Sequence, residues 1–218
     1  MTSSAALAHT VAPRSRLLEG LPETTARVVI GGLFMALAWR LGGDFLKTGR
    51  PTDLLLLVGE SLVVILTCLR RPAVAIDHRT AARLVTAASM VSPLMVRPVQ
   101  QGGVIPDTAA ASLAVFGLLL VIAGKMSLGY SFGLLPANRG VIDRGLYRVI
   151  RHPIYLGYLL THAPFLAAHP SAWNLSVMIL GDAALIVRAS YEEETLSQDP
   201  QYRRYCEVVR WRLIPRVY

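Results

Sequence analysis

Long apolar stretches alternate along the chain with short segments that are rich in charge, glycine and proline. Three stretches contain no Asp, Glu, Lys or Arg, two more contain a single acid (Glu60 or Asp182), and one is weaker. In chain order the six are residues 28–39, 54–69, 84–96, 109–124, 153–169 and 171–187. A membrane-spanning helix needs about 20 mostly apolar residues, so the shorter stretches must include flanking residues or tilt. The pattern predicts an all-α, polytopic membrane helical bundle with five or six transmembrane helices.

The composition agrees with this pattern. Hydrophobic residues make up 53% of the 218 residues and charged residues only 17%, with a mean hydropathy of +0.46. An ordinary soluble domain has about a quarter charged residues. Only two cysteines occur, Cys68 and Cys206, and both are expected on the inner side of the membrane. A structural disulfide or a cysteine-based metal site is therefore not expected.

The net charge of +8 is explained by membrane orientation. In a six-span arrangement with both termini inside, 18 of the 22 basic residues fall on the inner side, as the positive-inside rule requires. The other four are Arg40, Lys47, Arg50 and Arg97. Because no nucleic-acid-binding motif occurs, we expect the basic residues to contact anionic lipids instead. The compact chain, without organellar signals, is expected in the bacterial inner (plasma) membrane with both termini cytoplasmic.

Three regions of the chain differ in amino-acid composition. Residues 1–26 are rich in Ser, Thr and Ala and lack the order of a cleaved signal peptide, so we expect a cytoplasmic N-terminal lead. Residues 27–124 are expected to form the N-terminal transmembrane helices. Residues 125–218, where aromatic and charged residues are concentrated, are expected to form the catalytic region. The long connection at 127–150, rich in Gly, Pro and aromatics, is typical of an ordered functional loop.

Glu60 is an ionisable residue in the middle of an apolar stretch. Such a residue is a candidate functional site because a charge inside a membrane is costly. No second charged residue lies in that stretch, which favours a neutral Glu60 that hydrogen-bonds to a neighbouring helix.

The segment "RHPIYLGY" (residues 151–158) places a basic pair where an apolar helix should begin. Pro153 is compatible with the first turn of a helix, so Arg151 and His152 should lie at its positive end. Free backbone N–H groups, a guanidinium and an imidazole together suit a carboxylate or a phosphate. The alternative is that Arg151 contacts lipid phosphate and His152 only caps the helix.

A second charged cluster follows the next apolar stretch. Arg188 and Glu192 are four residues apart and should share a helix face, while Glu193 points about 100° away. Three consecutive acids, residues 192–194, lie at the helix C-terminus, where the macrodipole disfavours negative charge. Arg188, Arg203 and Arg204 could compensate, or a bound cationic ligand could. A tight helical hairpin would place both clusters on one membrane side. An anion-binding group, an acid pair and tyrosines together suit a zwitterionic, ribose-bearing cofactor.

These motifs, in this order and spacing, resemble the superfamily of isoprenylcysteine carboxyl methyltransferases and phospholipid methyltransferases. That family carries a Gly-x-Tyr, an Arg-His-Pro-x-Tyr-x-Gly, an Arg followed by a Glu-Glu pair, and a Tyr-x-x-Tyr. This chain supplies Gly145-Leu146-Tyr147, Arg151-His152-Pro153-Ile154-Tyr155-Leu156-Gly157, Arg188, Glu192-Glu193 and Tyr202-Arg203-Arg204-Tyr205. The resemblance covers residues 125–218, somewhat under half of the chain.

The resemblance implies an integral membrane S-adenosylmethionine-dependent methyltransferase with a cytoplasmic-side cofactor pocket. A lipophilic acceptor, isoprenylcysteine carboxylate-like or lipid-like, would enter this pocket from the bilayer. The catalytic polar centre would be Arg151, Arg188 and Glu192, and the cofactor would contact His152, Tyr155, Glu193, Tyr147, Gly157 and Tyr205. Alignment and desolvation would supply most of the catalysis, and no metal is required.

One departure and two rival functions bear on this interpretation. Protein-prenyl members usually carry a Phe-Gly where this chain has the shorter "SQDP". Membrane sterol and steroid reductases, which bind NADPH, are similar in the Arg-His-Pro-x-Tyr and the final segment. Glu192 and Glu193 are poor neighbours for phosphate groups, which favours methyl transfer. A non-catalytic membrane scaffold would leave both clusters as interfacial charges and would not explain why they share one end of a hairpin.

Overall fold

The computed structural model describes residues 28, 31–32, 35–36, 38–39, 42–43, 45–47, 51–97, 99 and 102–217. The described positions between 28 and 47 are helical. From residue 51 onward the chain forms helices α1 Pro51–Leu69, α2 Thr80–Met95, α3 Asp107–Leu128, α4 Pro153–Ala168, α5 Ala172–Leu196 and α6 Pro200–Val208. Short strands β1 (Ala75–Ile76) and β2 (Ala137–Asn138) and two 3₁₀ turns complete this part. The fold is mostly helical, as predicted; the expected lead at 1–26 lies outside the described residues.

Two of the described helical segments are long and apolar enough to cross a membrane, judged by length and composition. They are Asp107–Ser131 and Ala172–Leu196, with 25 residues each. Leu54–Leu69 is also apolar but shorter. Every predicted apolar stretch from residue 54 onward is helical. A membrane protein is therefore indicated, while the count of five or six spans stays a prediction.

Close helix contacts in the bundle depend on glycine. α3 packs along α4, and α2 packs along α5. A Cβ added to Gly157 of α4 would lie 2.6 Å from Val121 Cγ2 and 2.8 Å from the carbonyl oxygen of Gly117, both in α3. Gly181 of α5 is similarly close to Ser92 of α2. Small residues at such positions let membrane helices approach closely.

The predicted hairpin is present. α4 ends at Ala168 and α5 begins at Ala172, with Ser171 as the N-cap whose side chain accepts a hydrogen bond from the backbone N–H of Asn174 (3.0 Å). The start of α4 and the end of α5 therefore lie at the same end of the bundle. A core of Val121, Ile154, Tyr155, Leu185, Ala189 and Leu213 packs next to this end.

The connection after α3 is ordered, as expected from its composition. β2 pairs antiparallel with β1, and Asn138 Nδ2 donates to the Asp199 carboxylate (3.0 Å). Asp199 also caps α6 through the backbone N–H of Gln201 (2.8 Å). The "SQDP" segment is thus a turn anchored to this connection. α3 continues through residues 124 and 125, so the two predicted regions of the chain share a helix.

Candidate functional site

The Arg-His-Pro motif is held by the C-terminal segment. α4 begins at Pro153, and His152 occupies the N-cap position without a side-chain cap hydrogen bond. The backbone N–H groups of Arg151 and His152 donate to the carbonyls of Trp211 and Arg212, both at 2.9 Å. The alternative in which the His152 side chain only caps the helix is therefore wrong. Its imidazole faces α5 instead.

Glu193 is the centre of a buried polar network. Its Oε2 accepts a hydrogen bond from Arg151 Nη1 (2.6 Å), and its Oε1 accepts from the Tyr202 hydroxyl (2.9 Å) and lies 2.9 Å from His152 Nε2. Arg212 Nε lies 3.8 Å from Oε2. The side chains of Arg151, His152 and Glu193 are only 10%, 6% and 12% exposed. Charge-assisted contacts of this kind are the stronger hydrogen bonds in proteins, so the network rigidly joins α4, α5 and α6.

Glu192 extends the network along the same face. Its carboxylate accepts from the Tyr155 hydroxyl, and Oε1 lies 3.4 Å from Arg188 Nε, as the predicted spacing of four residues requires. His152 Nδ1 lies 3.8 Å from Glu192 Oε2, so its ring stands between the two carboxylates, and it stacks on Tyr155 at 5.3 Å. Arg188 Nη2 donates to the carbonyl of Leu134 (2.6 Å). Both predicted clusters therefore form one site.

The remaining predicted cofactor residues lie beside this network. The Tyr205 hydroxyl donates to the backbone carbonyl of Tyr147 (2.7 Å), and its ring packs on Tyr202. Burial raises the pKa of the phenols of Tyr147, Tyr202 and Tyr205, so they stay protonated and can donate. The structure places Gly157 in the contact with α3, where it serves packing, and not among the polar side chains.

The third acid, Glu194, has a partner that the sequence did not indicate. Arg79 Nη2 lies 2.9 Å from Glu194 Oε2 and also pairs with Asp77, while Arg203 Nη1 donates to the carbonyl of Ser197 (2.7 Å). Arg203, which was expected as a possible compensating charge, thus hydrogen-bonds to the backbone carbonyl of Ser197 just after α5. Arg79 lies 115 residues before Glu194, so no local spacing could have revealed the pair.

Lys125 is a buried basic residue that no sequence motif indicates. It is 1% exposed in α3, and its Nζ donates to the carbonyl of Gly59 (3.1 Å), next to Glu60. Its Nζ also lies 5.9 Å from the centre of the Tyr158 ring. Glu60 therefore has a basic side chain nearby on a neighbouring helix, although none lies in its own stretch. A lysine at the end of an apolar stretch is typical of the membrane interface, so nothing in the sequence indicates that Lys125 is buried.

Two cavities lie near the polar network without including it. The larger, about 590 Å³, is next to β1 and the end of α5, and Asp77, Arg79 and Glu194 contribute to its lining. The smaller, about 330 Å³, lies beside the C-terminal segment. Neither is lined by Arg151, Glu192 or Glu193. Within the part of the chain that the structure describes, no group of three or more His, Cys, Asp or Glu side chains could hold a metal ion.

The Asp77–Arg79 pair predicts an acid-dependent loss of stability. Asp77 accepts hydrogen bonds from Arg79 Nη2 (2.7 Å) and Nε (3.0 Å), which hold the pKa of its carboxyl below the usual value. This stabilisation is complete above the unfolded-state pKa of about 3.9 and is lost as the pH falls through the lower folded-state pKa. We expect Asp77→Asn to lower the unfolding temperature at neutral pH and to weaken its fall in acid. Thermal unfolding across the acid range checks this, with the exposed Asp143→Asn as control; an unchanged acid dependence contradicts it.

Comparison with known proteins places the chain in a family. The family model described as "Protein of unknown function (DUF1295)" matches residues 81–209, which is more than half of the chain and includes both clusters of the polar network. The chain belongs to the DUF1295 family. This family is membrane-associated, which agrees with the two long apolar helices of this DUF1295 protein. No curated protein matches the chain. The resemblance to methyltransferases stays a prediction.

Proposed function

We propose that this DUF1295 protein is an integral membrane S-adenosylmethionine-dependent methyltransferase that acts on a lipophilic acceptor. The observation that carries the proposal is the buried network in which Arg151 and His152 of one hairpin arm contact Glu192 and Glu193 of the other. A scaffold with interfacial charges would expose these side chains to water or lipid headgroups. Burial of so many ionisable groups at one place is instead typical of functional sites.

The network offers groups that fit the polar parts of this cofactor. The Nε atom of Arg151 is buried and has no hydrogen-bond partner among the described residues, so it could donate to a carboxylate of the cofactor or of the acceptor. Arg188 Nε lies 3.4 Å from Glu192 Oε1 and could donate to such a carboxylate by exchanging that contact. Glu192 and Glu193 could accept from an ammonium group or from ribose hydroxyls. The ring of Tyr155, which already lies 5.3 Å from the Arg188 guanidinium, could attract a sulfonium in the same way.

The proposed mechanism depends on alignment and exclusion of water. The cofactor supplies an electrophilic methyl group when bound. His152, Tyr155 and Glu193 would hold it, and Arg151, Arg188 and Glu192 would orient the acceptor. Because Arg151 and Glu193 already form an ion pair, a zwitterionic ligand could exchange partners with them without leaving a buried charge unpaired. Helices α4, α5 and α6 would exclude water from the site. Positioning and desolvation would then contribute most of the rate enhancement.

One observation favours a second candidate, an NADPH-dependent reductase. Arg151, Arg188 and Arg212 all lie within 4 Å of the two acids, at 2.6, 3.4 and 3.8 Å. The acids are therefore compensated within the protein, and their repulsion of a phosphate is weaker than their sequence suggests. Three guanidinium groups could also bind the phosphates of NADPH.

Calorimetry separates these functions before any acceptor is known. We expect the purified protein in detergent to bind S-adenosylmethionine and its demethylated product, and to show no heat of binding with NADPH. Both methyltransferase ligands carry the amino-acid group that the network should recognise. Binding of NADPH alone would establish the reductase alternative, and binding of none of the three ligands would contradict both enzyme proposals.

A further inference from the structure

The smaller cavity has the chemistry of a phosphate site. It measures about 330 Å³, and its lining includes Arg148 and Arg210 but no acidic residue. Arg148 uses its Nε to donate to the carbonyl of Asp143 (3.2 Å), which leaves the two terminal nitrogens for other contacts. The Arg210 side chain is exposed and makes no hydrogen bond or ion pair with the described residues. Two guanidinium groups at one cavity suit an anion with several oxygens.

Apolar side chains flank the same cavity. Val149 and Val208, both in its lining, are 57% and 83% exposed, and Trp211 is 37% exposed. Ile214 and Val217, which follow in the C-terminal segment, are also exposed. The surface lies at the end of the hairpin where α4 begins. Tryptophan is enriched where membrane helices meet the headgroup layer, and an exposed apolar patch usually marks an interaction site.

We propose that this cavity binds an anionic phospholipid, with the phosphate between Arg148 and Arg210 and the acyl chains against Val149 and Val208. A free phosphate ion would use the two arginines but not the apolar residues, whereas a phospholipid uses both. The positive lining further favours an anionic headgroup, because each arginine near a membrane surface contributes about 1 kcal/mol to binding anionic lipid. This site is separate from the network of Arg151, Glu192 and Glu193.

The residues around the lipid cavity also hold the Arg-His-Pro motif. The carbonyl of Arg210 accepts from Arg151 Nη2 (3.2 Å), and the carbonyl of Trp211 accepts from the Arg151 backbone N–H (2.9 Å). A lipid that restrains the Arg210 side chain therefore restrains the segment that orients Arg151. If the polar network binds S-adenosylmethionine as proposed, anionic lipid in this cavity should raise the affinity for that cofactor. Binding of the lipid itself does not depend on the proposed methyltransferase function.

Fluorescence quenching by brominated lipid tests the site directly. Replacing the other two tryptophans, Trp39→Phe and Trp173→Phe, leaves Trp211 as the reporter. The full chain is placed in phosphatidylcholine nanodiscs that contain either brominated phosphatidylglycerol or brominated phosphatidylcholine at equal mole fraction. We expect the glycerol lipid to quench Trp211 with an apparent affinity at least about fivefold higher, which corresponds to the contribution of one arginine.

Variants and a competitor identify the cavity as the cause. The pair Arg148→Gln and Arg210→Gln should abolish the preference, and Arg148→Lys with Arg210→Lys should retain most of it, with helix content by circular dichroism unchanged. The pair Arg203→Gln and Arg204→Gln removes the same charge from α6 and should preserve it. Equal quenching by both lipids, or loss of preference in the α6 control, overturns the site. Displacement by inorganic phosphate alone would identify a soluble ligand and also overturn it.

Discussion

Glu193→Gln is expected to weaken binding of S-adenosylmethionine by at least about 30-fold. Loss of one partner in a buried, charge-assisted contact typically costs about 2 to 5 kcal/mol, which corresponds to factors from about 30 to several thousand. Glu193 is the acceptor shared by Arg151, His152 and Tyr202, so no neighbouring carboxylate can replace it without rearrangement. Titration calorimetry in detergent measures the change. The glutamine keeps the side-chain shape, so helix content should not change.

Glu60→Gln is the matched control, because it makes the same replacement at an acid on α1, outside the network. We expect its cofactor affinity to be nearly that of the unaltered protein; a tenfold loss, about 1.4 kcal/mol, would place Glu60 in the site. Unchanged binding in the folded Glu193 variant would contradict the proposed cofactor site.

A double-mutant cycle of Glu193→Gln with His152→Ala has to be measured in two ways, because His152 and Glu193 contact each other at 2.9 Å. Their coupling in unfolding free energy must be measured separately from that in binding.

Gly157→Leu is expected to lower the unfolding free energy by at least about 3 kcal/mol, or to prevent folding. The Cβ alone would lie 2.8 Å from the carbonyl oxygen of Gly117 and 2.9 Å from the backbone nitrogen of Val121, and backbone atoms of a packed helix cannot move aside cheaply. α3 and α4 would have to separate. Denaturant titration in detergent, followed by circular dichroism, measures the loss.

Gly43→Leu provides the control for that experiment, since a Cβ at Gly43 meets nothing within 4 Å. We expect little loss of stability there. Gly157→Ala, a milder change, distinguishes the packing role from the cofactor contact that family resemblance implies. Folded Gly157→Ala protein should bind the cofactor normally if the glycine serves only packing. A stable Gly157→Leu protein with lost cofactor binding would favour the cofactor role.

The helices were largely predictable because long apolar stretches leave few alternatives. The stretch 54–69 became Pro51–Leu69, and the stretch 153–169 became Pro153–Ala168, with Pro153 marking the start. The apolar stretches end at the first charged residue, whereas the helices continue past it. α3 includes Lys125, and α5 runs to Leu196, as the helical spacing of Arg188 and Glu192 predicted, although its apolar stretch ends at residue 187. Hydropathy alone cannot distinguish a charge with a partner from one that ends a span.

The site was predictable only as far as local spacing and the hairpin allow. Helical spacing correctly paired Arg188 with Glu192, and the tight turn brought the two clusters together. Family resemblance implies that Arg151 contacts the acceptor and Glu193 the cofactor, yet these two side chains contact each other across 42 residues. Such a pairing depends on how α4 rotates against α5. No single-sequence pattern reports that rotation.

The hydrogen bonds from Arg151 and His152 to the carbonyls of Trp211 and Arg212 have a consequence for biosynthesis. Trp211 and Arg212 follow both hairpin arms in the chain, so they are synthesised after all the residues of α4 and α5. A chain that ends at residue 209 contains all the residues of α4 and α5, but the start of α4 lacks these two backbone partners. A premature stop after that point would leave a well-inserted hairpin with an incompletely held Arg-His-Pro motif. Loss of the final stretch should therefore release the Arg-His-Pro motif from two of its backbone contacts while all the residues of the hairpin are retained.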